Sequence, residues 1–216
     1  MTIPVSRRRE NTQARLLDAA AQVFAEVGLE GASVEAICER AGFTRGAFYS
    51  NFESKDELFL KLAAGVTEQR LVQVRERIAE FVASGLLASD SDPTELVRQV
   101  MESGHDDRLS VQLMSEIRIR ALRDESFAAA YRVQERDMVA SIEGIIGGII
   151  DSGLFALRVD VSTAAEILLV QWEGRMARAV IAGRDGEELH RDSAEILARV
   201  VELIIDPAEG CSPAAE

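Results

Sequence analysis

Apolar positions recur every three or four residues along most of the chain, the signature of amphipathic helices. From Asn11 to Val27 the residues Leu16, Leu17, Ala20, Phe24 and Val27 keep that spacing, and Gly28 and Gly31 interrupt it. Ser33 stands directly before VEAICERA, where Val34, Ile37 and Ala41 share a face, so its hydroxyl is placed to cap a second helix of about two turns. Gly42-Phe43 breaks the pattern, and Thr44 is the corresponding cap for a short third helix in RGAFYSNF. Ser54-Lys-Asp-Glu57 is a capping box that opens a fourth helix through Leu58, Leu62, Val66, Val74, Ile78 and Phe81 into the mid-80s. The polar stretch GLLASDSDP reads as a hinge, and Asp92-Pro-Thr-Glu95 restarts a helix with proline in its first turn. Further helices are predicted over 93–104, 108–122, 125–151, 162–183 and 187–205. The clearest carries Phe127, Tyr131, Met138, Ile142, Ile145 and Ile149 on one stripe, and the short Gly183–Gly186 connection makes the last two helices antiparallel neighbours. The expected fold class is all-α with about nine helices. Its expected parts are residues 1–53 as an arm and three-helix head, 54–88 as a connecting helix, 89–207 as a larger helical bundle, and 208–216 as a frayed tail.

Two short helices joined by a glycine-containing turn and preceded by a longer one describe a helix-turn-helix unit. Geometry alone is weakly specific, but the string GASVEAICERAGFTRGAFYSNFESKDEL raises it. Ser33, Val34, Ile37, Ala41-Gly42, Gly46, Tyr49, Phe52, Lys55, Glu57 and Leu58 sit, without a gap, where the DNA-binding domain of the tetracycline-repressor (TetR) family has them, so residues 11–60 resemble that family. The resemblance implies a transcriptional regulator, repression by default, and DNA contact by Thr44, Arg45, Gly46, Ala47, Tyr49, Asn51 and Lys55. The side chains point the same way on chemical grounds. A helix entering a major groove about 12 Å wide needs small or polar residues near its N-terminus. Thr44, Arg45, Gly46 and Ala47 supply them: Gly46 permits close backbone approach, Arg45 can reach a guanine edge or a phosphate, and Ala47 can meet a thymine methyl. Phe48 and Phe52 supply bulk for the buried side, while Tyr49, Asn51, Lys55 and the helix-two cap Ser33 are placed to hold phosphates. Arg7-Arg8-Arg9 reads as an arm toward phosphates or a minor groove. Cys38 reads as a small buried hydrophobe.

The overall charge runs against this reading until it is divided along the chain. The chain of 216 residues has 24 basic and 37 acidic side chains, a formal charge of −13. Residues 1–55, however, hold seven of each sign, so the whole deficit belongs to the remainder, with 17 basic and 30 acidic residues. The composition locates a nucleic-acid surface in the head instead of excluding one.

The acidic body has two expected tasks. One helix-turn-helix contacts one half-site, so a homodimer is expected, formed by the helices at about 162–183 and 187–205. The stripe Ala165, Leu168, Leu169, Trp172, Met176 and Ala179, continued by Leu189, Ile196, Leu197, Val200, Leu203 and Ile204, is its candidate surface, with closure of the chain's own core as the competing reading. The second task is a small-molecule effector site. Met101, Met114, Phe127, Tyr131, Met138, Trp172 and Met176 are its apolar candidates, and His105, Gln134 and Gln171 its polar ones. No cofactor, metal, membrane span or signal peptide is expected, and the compartment expected is the cytoplasm. An enzyme alternative rests on two E-x-x-H spacings, Glu102/His105 and Glu187/His190, as used in di-iron bundles. Both lie near predicted helix ends, where convergence on a buried metal is disfavoured.

Overall fold

The computed structural model describes residues 5–84, 92–102, 108–151 and 155–206. Among them the chain forms nine helices: α1 (Val5–Gly31), α2 (Val34–Ala41), α3 (Arg45–Tyr49), α4 (Lys55–Ala83), α5 (Pro93–Glu102), α6 (Arg108–Arg123), α7 (Glu125–Asp151), α8 (Val161–Ile181) and α9 (Gly186–Ile204). The all-α expectation holds, and most predicted boundaries agree to within two residues. Of the expected hinge GLLASDSDP, residues 85–91 lie outside the described residues, as does the tail from 208. A two-residue antiparallel pairing was not expected: β1 (Ala156–Leu157) meets β2 (Ile205–Asp206), with Ala156 opposite Asp206. Segments this short carry no alternation that a sequence reading could use.

The chain divides into two compact units. The first comprises Met1–Val66 and Gln112–Arg132, the second Thr67–Val111 and Val133–Glu216. This differs from the expected linear order, because α4, α6 and α7 each contribute to both. The reason in the first unit is a pair of contacts distant in sequence. Glu116 accepts a 2.7 Å hydrogen bond from the Leu29 N–H, and Arg120 pairs with Asp56 at 3.0 Å.

Within the first unit α1 is longer than the sequence pattern indicated, so Arg7, Arg8 and Arg9 are exposed residues of its first turns and not a separate arm. Its regular helix ends at Gly28, whose φ of 72° is left-handed and open to glycine at little cost. The Glu116 carboxylate receives the N–H released by that break. Arg15 donates to Ala41 O at 2.8 Å and lies over the Phe43 ring, and Arg40 forms a two-bonded pair with Glu26. Both fasten α2 to α1. Caps then set the short elements: Ser33 Oγ accepts from Ala36 N, Thr44 Oγ1 from Ala47 N, and Ser54 Oγ from Glu57 N. All three had been read from the sequence.

In the second unit α9 packs against α5 and α8. Leu189, Leu197, Val201 and Ile204 are buried, while Glu187, Arg191, Glu195 and Arg199 face outward, with Glu195 and Arg199 paired at 2.6 Å one turn apart. Val111, Trp172, Met176, Ala179, Val180, Leu189 and Leu197 form one buried cluster. The stripe proposed above as a dimer surface, Ala165, Leu169, Trp172, Met176 and Ala179, is therefore buried in the chain's own core. Periodicity marks an apolar face but does not say whether the same chain or a second one covers it.

Three outcomes follow for stability. Gly28→Ala places a Cβ at positive φ and 3.3 Å from Glu116 Oε1, and should cost roughly 1–2 kcal/mol in urea denaturation. Gly65→Ala lies in an exposed stretch of α4 with open space around it, and should gain about 0.5–1 kcal/mol in the same measurement. The α7 cap Asp124 and the α8 cap Asp160 are held below the ordinary carboxylate range, chiefly by side-chain hydrogen bonds from Ser126 and Thr163. Their stabilisation is complete above the unfolded value of about 3.9 and is lost as pH falls through the lower folded values, so an Asp124→Ala, Asp160→Ala chain should start less stable and lose less between about pH 5 and 2.

Candidate nucleic-acid interface and apolar cavity

Helix α3 has five residues, too few to persist in water alone. Its orientation is imposed from beneath by Phe48, fully buried, which meets the Phe52 ring at 5.7 Å and the Tyr49 ring edge-on at 5.2 Å. With that side buried, Thr44, Arg45, Gly46 and Tyr49 are exposed and Ala47 is half-buried. The structure thus brings together the N-terminal part of the predicted contact set on one solvent-facing surface. At Gly46 an added Cβ would meet only Thr44 Oγ1, at 3.7 Å. Among the described residues nothing requires glycine there, and the missing side chain leaves room for an approaching surface.

The other predicted residues have additional tasks. Ser33 is the α2 cap. Asn51 is half-buried, donates to Ala47 O at 2.8 Å, and its own carbonyl accepts from Gln13. The ammonium of Lys55 donates to Leu29 O at 3.0 Å, closing the end of α1. In the free chain Asn51 and Lys55 hold the scaffold of the head, a role that sequence spacing does not reveal.

Sequence reasoning missed Glu35. Its carboxylate pairs with Arg45 at 2.7 Å, and both side chains are more than half exposed. The Arg45 guanidinium also lies 6.0 Å from the Tyr49 ring. Its pKa is raised, first by a hydrogen bond with Tyr49 and then by the Glu35 charge. An exposed pair of this kind contributes little, so a phosphate or guanine edge can displace Glu35 readily. Burial raises the Cys38 thiol, with Glu35 adding to the shift, which agrees with a small core residue and not a reactive thiolate.

The second unit holds a cavity of about 220 Å³. Its wall is formed by α4 (Leu71, Val74, Ile78, Phe81), α5 (Val97, Val100, Met101), α7 (Met138, Ile142, Ile145, Ile149), and residues of α8 and α9, including Trp172 and Leu197. Of the effector candidates, Met101, Met138 and Trp172 line it. The others do not. Met114, Phe127 and Tyr131 are buried in the first unit, where Arg120 lies over Phe127 and Arg118 donates to the Tyr131 hydroxyl. Met176 is in the buried cluster, Gln134 is half-buried off the wall, and Gln171 is exposed. His105 lies outside the described residues. The wall residues of α4 and α7 were visible in the sequence as the stripes Val74/Ile78/Phe81 and Ile142/Ile145/Ile149. No local signal distinguished a stripe facing a cavity from one facing solid core.

Of the two pairs behind the enzyme alternative, Glu102/His105 reaches outside the described residues, and Glu187/His190 does not converge. Glu187 is almost fully exposed beside Arg191, whereas His190 is buried and stacked on Trp172 with ring centroids 6.2 Å apart. Among the described residues no group of three His, Cys, Asp or Glu could hold a metal, and no helix is long and apolar enough to cross a membrane.

Comparison with known proteins agrees with this geometry. Residues 16–62 match the family described as bacterial regulatory proteins, tetR family. The chain is 25% identical to the transcriptional repressor AcnR of Corynebacterium glutamicum, across 94% of this chain and 96% of that protein. It is 24% identical to the transcriptional regulator UidR of Escherichia coli, across 85% and 86% of the two chains. Among solved structures, Salmonella enterica GusR superposes with a TM-score of 0.68 at 22% identity, covering 93% of this chain and 96% of its own.

Two substitutions separate the parts of this surface. Arg45→Ala should weaken binding to a selected duplex by about 1–3 kcal/mol in fluorescence anisotropy. Glu35→Gln should strengthen binding to any duplex about two- to fivefold by releasing Arg45, with the gain shrinking as salt is raised.

Proposed function

We propose that this chain, which belongs to the bacterial regulatory proteins of the tetR family, is a repressor that binds a palindromic operator as a homodimer and leaves it when a small molecule occupies the cavity of the second unit. The coarser statement stands on the family: it is a DNA-binding transcriptional regulator and not an enzyme. The observation that carries the finer reading is the α3 surface, exposed at Thr44, Arg45, Gly46 and Tyr49 and held by buried Phe48. It has the size and chemistry to enter a major groove, with Ala47 beside it to meet a thymine methyl. Ser33, Asn51 and Lys55 complete the proposed contact set at its edges, Lys55 by exchanging its bond to Leu29 for a phosphate.

A second copy would supply the second half-site. The outward faces of α8 and α9 support this, since Val170, Ile181 and Leu203 are 66%, 84% and 71% exposed and Gly174 leaves open space between neighbours on α8. Covering these side chains with a second copy would remove their apolar area from water. Two chains of −13 would carry −26, so the bodies should be repelled from the duplex and leave the heads to dock in the cytoplasm.

Release is proposed as a population shift. Helix α4 contributes Leu58 and Phe59 to the core of the head and Leu71, Val74 and Ile78 to the cavity wall. A ligand that changes the preferred position of this helix changes how well two recognition helices match successive grooves. Selection of bound fragments from genomic DNA should recover a palindrome, and gel shift on it should show a steep salt dependence. A Val170→Glu, Ile181→Glu chain should sediment as a monomer and bind that palindrome at least about tenfold more weakly. A monomeric wild-type chain that binds one half-site with full affinity would overturn the dimer.

A further inference from the structure

The wall of the cavity is unevenly covered. Val100, Leu169, Leu197 and Val201 are buried within the chain. Leu71, Val74 and Ile78 on α4, and Ile142, Ile145 and Ile149 on α7, line the same space and are only half-buried. These two helices therefore keep apolar area that the described residues leave uncovered. The polar residues at the border, Thr67, Arg70 and Gln73, all belong to α4, and Arg70 is engaged, its guanidinium lying 5.9 Å from the centre of the Trp172 ring. Among the described residues the wall holds no acidic side chain. A sugar or a nucleotide would shed its hydration against a surface that returns few hydrogen bonds. The helices also set the shape. Wall residues run from Met138 to Ile149 on α7 and from Thr67 to Phe81 on α4, stretches on the order of 16 and 21 Å at the helical rise. A volume of about 220 Å³ drawn out along them is a slot, since a rounded cavity of that volume would be only about half as long.

Building on the ligand-responsive reading above, we propose that the slot takes one unbranched alkyl chain of about nine carbon atoms, recognised by apolar contact along its length and by no hydrogen bond inside the cavity. Size follows from the volume. An apolar cavity of about 150 Å³ accommodates benzene, so 220 Å³ corresponds to about nine non-hydrogen atoms. Form follows from the walls. A chain laid along α4 and α7 covers Leu71, Val74, Ile142 and Ile145 together, whereas a compact ring system of equal size covers only part of the slot and forfeits the remaining contacts. Such a chain has two sources: a wholly neutral molecule, or the tail of an amphiphile whose charged head stays in water at the border.

Calorimetry on the full chain with unbranched 1-alkanols from hexanol to dodecanol measures the slot. Affinity should rise about fourfold for each added CH₂ and stop rising at about nine carbons. 1-Adamantanol, whose carbons form a compact cage, should bind at least about tenfold more weakly than 1-decanol, which has as many carbons. Two substitutions shorten the slot from different helices. Ile145→Phe and Val74→Phe should each move the break in the series to a chain shorter by about two to four carbons, with circular dichroism to verify that each variant is folded. Affinity that does not grow with chain length, a cage that binds as tightly as the chain, or a break that stays in place in the folded variants would each overturn the proposal. Nonanoate identifies the source. Binding within about threefold of 1-nonanol assigns the tail of an amphiphile with its head in water, and a loss of binding assigns a neutral molecule held entirely inside. Operator affinity separates this idea from the wider one. If a sugar or another polar compound releases the operator complex and competes with 1-nonanol for the cavity, the ligand class falls and the ligand-responsive regulator stands. If the alkanols bind with the expected length profile and no cavity ligand alters operator affinity, the ligand class stands and the regulatory reading falls.

Discussion

The head depends on one constraint: a five-residue helix has no stability of its own. Helix α3 exists because Phe48 and Phe52 are buried beneath it, each contributing on the order of 1.5–3 kcal/mol through removal of apolar surface from water. Thr44 supplies the cap that starts the helix, and Arg15, Arg40 and Lys55 tie the ends of α1 and α2 into the platform below. The outward face is thereby turned to solvent, with Gly46 open and Arg45 held by an exposed pair with Glu35 and by Tyr49.

The second unit applies burial to a different end. On α8 the residues Ala165, Leu169, Trp172 and Met176 turn inward, while Val170 and Ile181 on the same helix are exposed. Helices α4, α5, α7 and α9 complete an apolar enclosure that does not fill, leaving about 220 Å³. Such a space forfeits dispersion contacts that a solid core would have, and cavities of this kind are destabilising unless something occupies them.

Much of this arrangement could be read before any coordinate was known. The positions of eight helix interiors followed from apolar spacing, and the caps Ser33, Thr44 and Ser54 followed from the affinity of hydroxyls for the first free N–H groups. The contact surface of α3 was readable because small and polar residues interrupt an otherwise bulky helix. What escaped were relations between distant segments. Glu116 and Arg120 bind the head through Leu29 and Asp56, 87 and 64 residues away, and no local pattern announces such pairs. Glu35 beside Arg45 escaped for the same reason, as did the duties of Lys55 and Asn51. The effector candidates were drawn from residue type, and type does not assign Met114, Phe127 and Tyr131 to one unit and Met101, Met138 and Trp172 to the other.

By itself the sequence determined an all-α chain, the place and polarity of its helix-turn-helix, and a charge balance of zero in residues 1–55 against −13 beyond them. These properties depend on near neighbours: hydrophobic period, capping chemistry and the sum of charges. Only the tertiary structure decided that the stripe of α8 closes the chain's own core, that α6 and α7 lend residues 112–132 to the head, and that five helices leave an apolar space with Trp172 in its wall. The physical reason is that burial is a property of pairs of surfaces. One amphipathic helix specifies that a face must be covered, and the packing of the whole chain specifies what covers it.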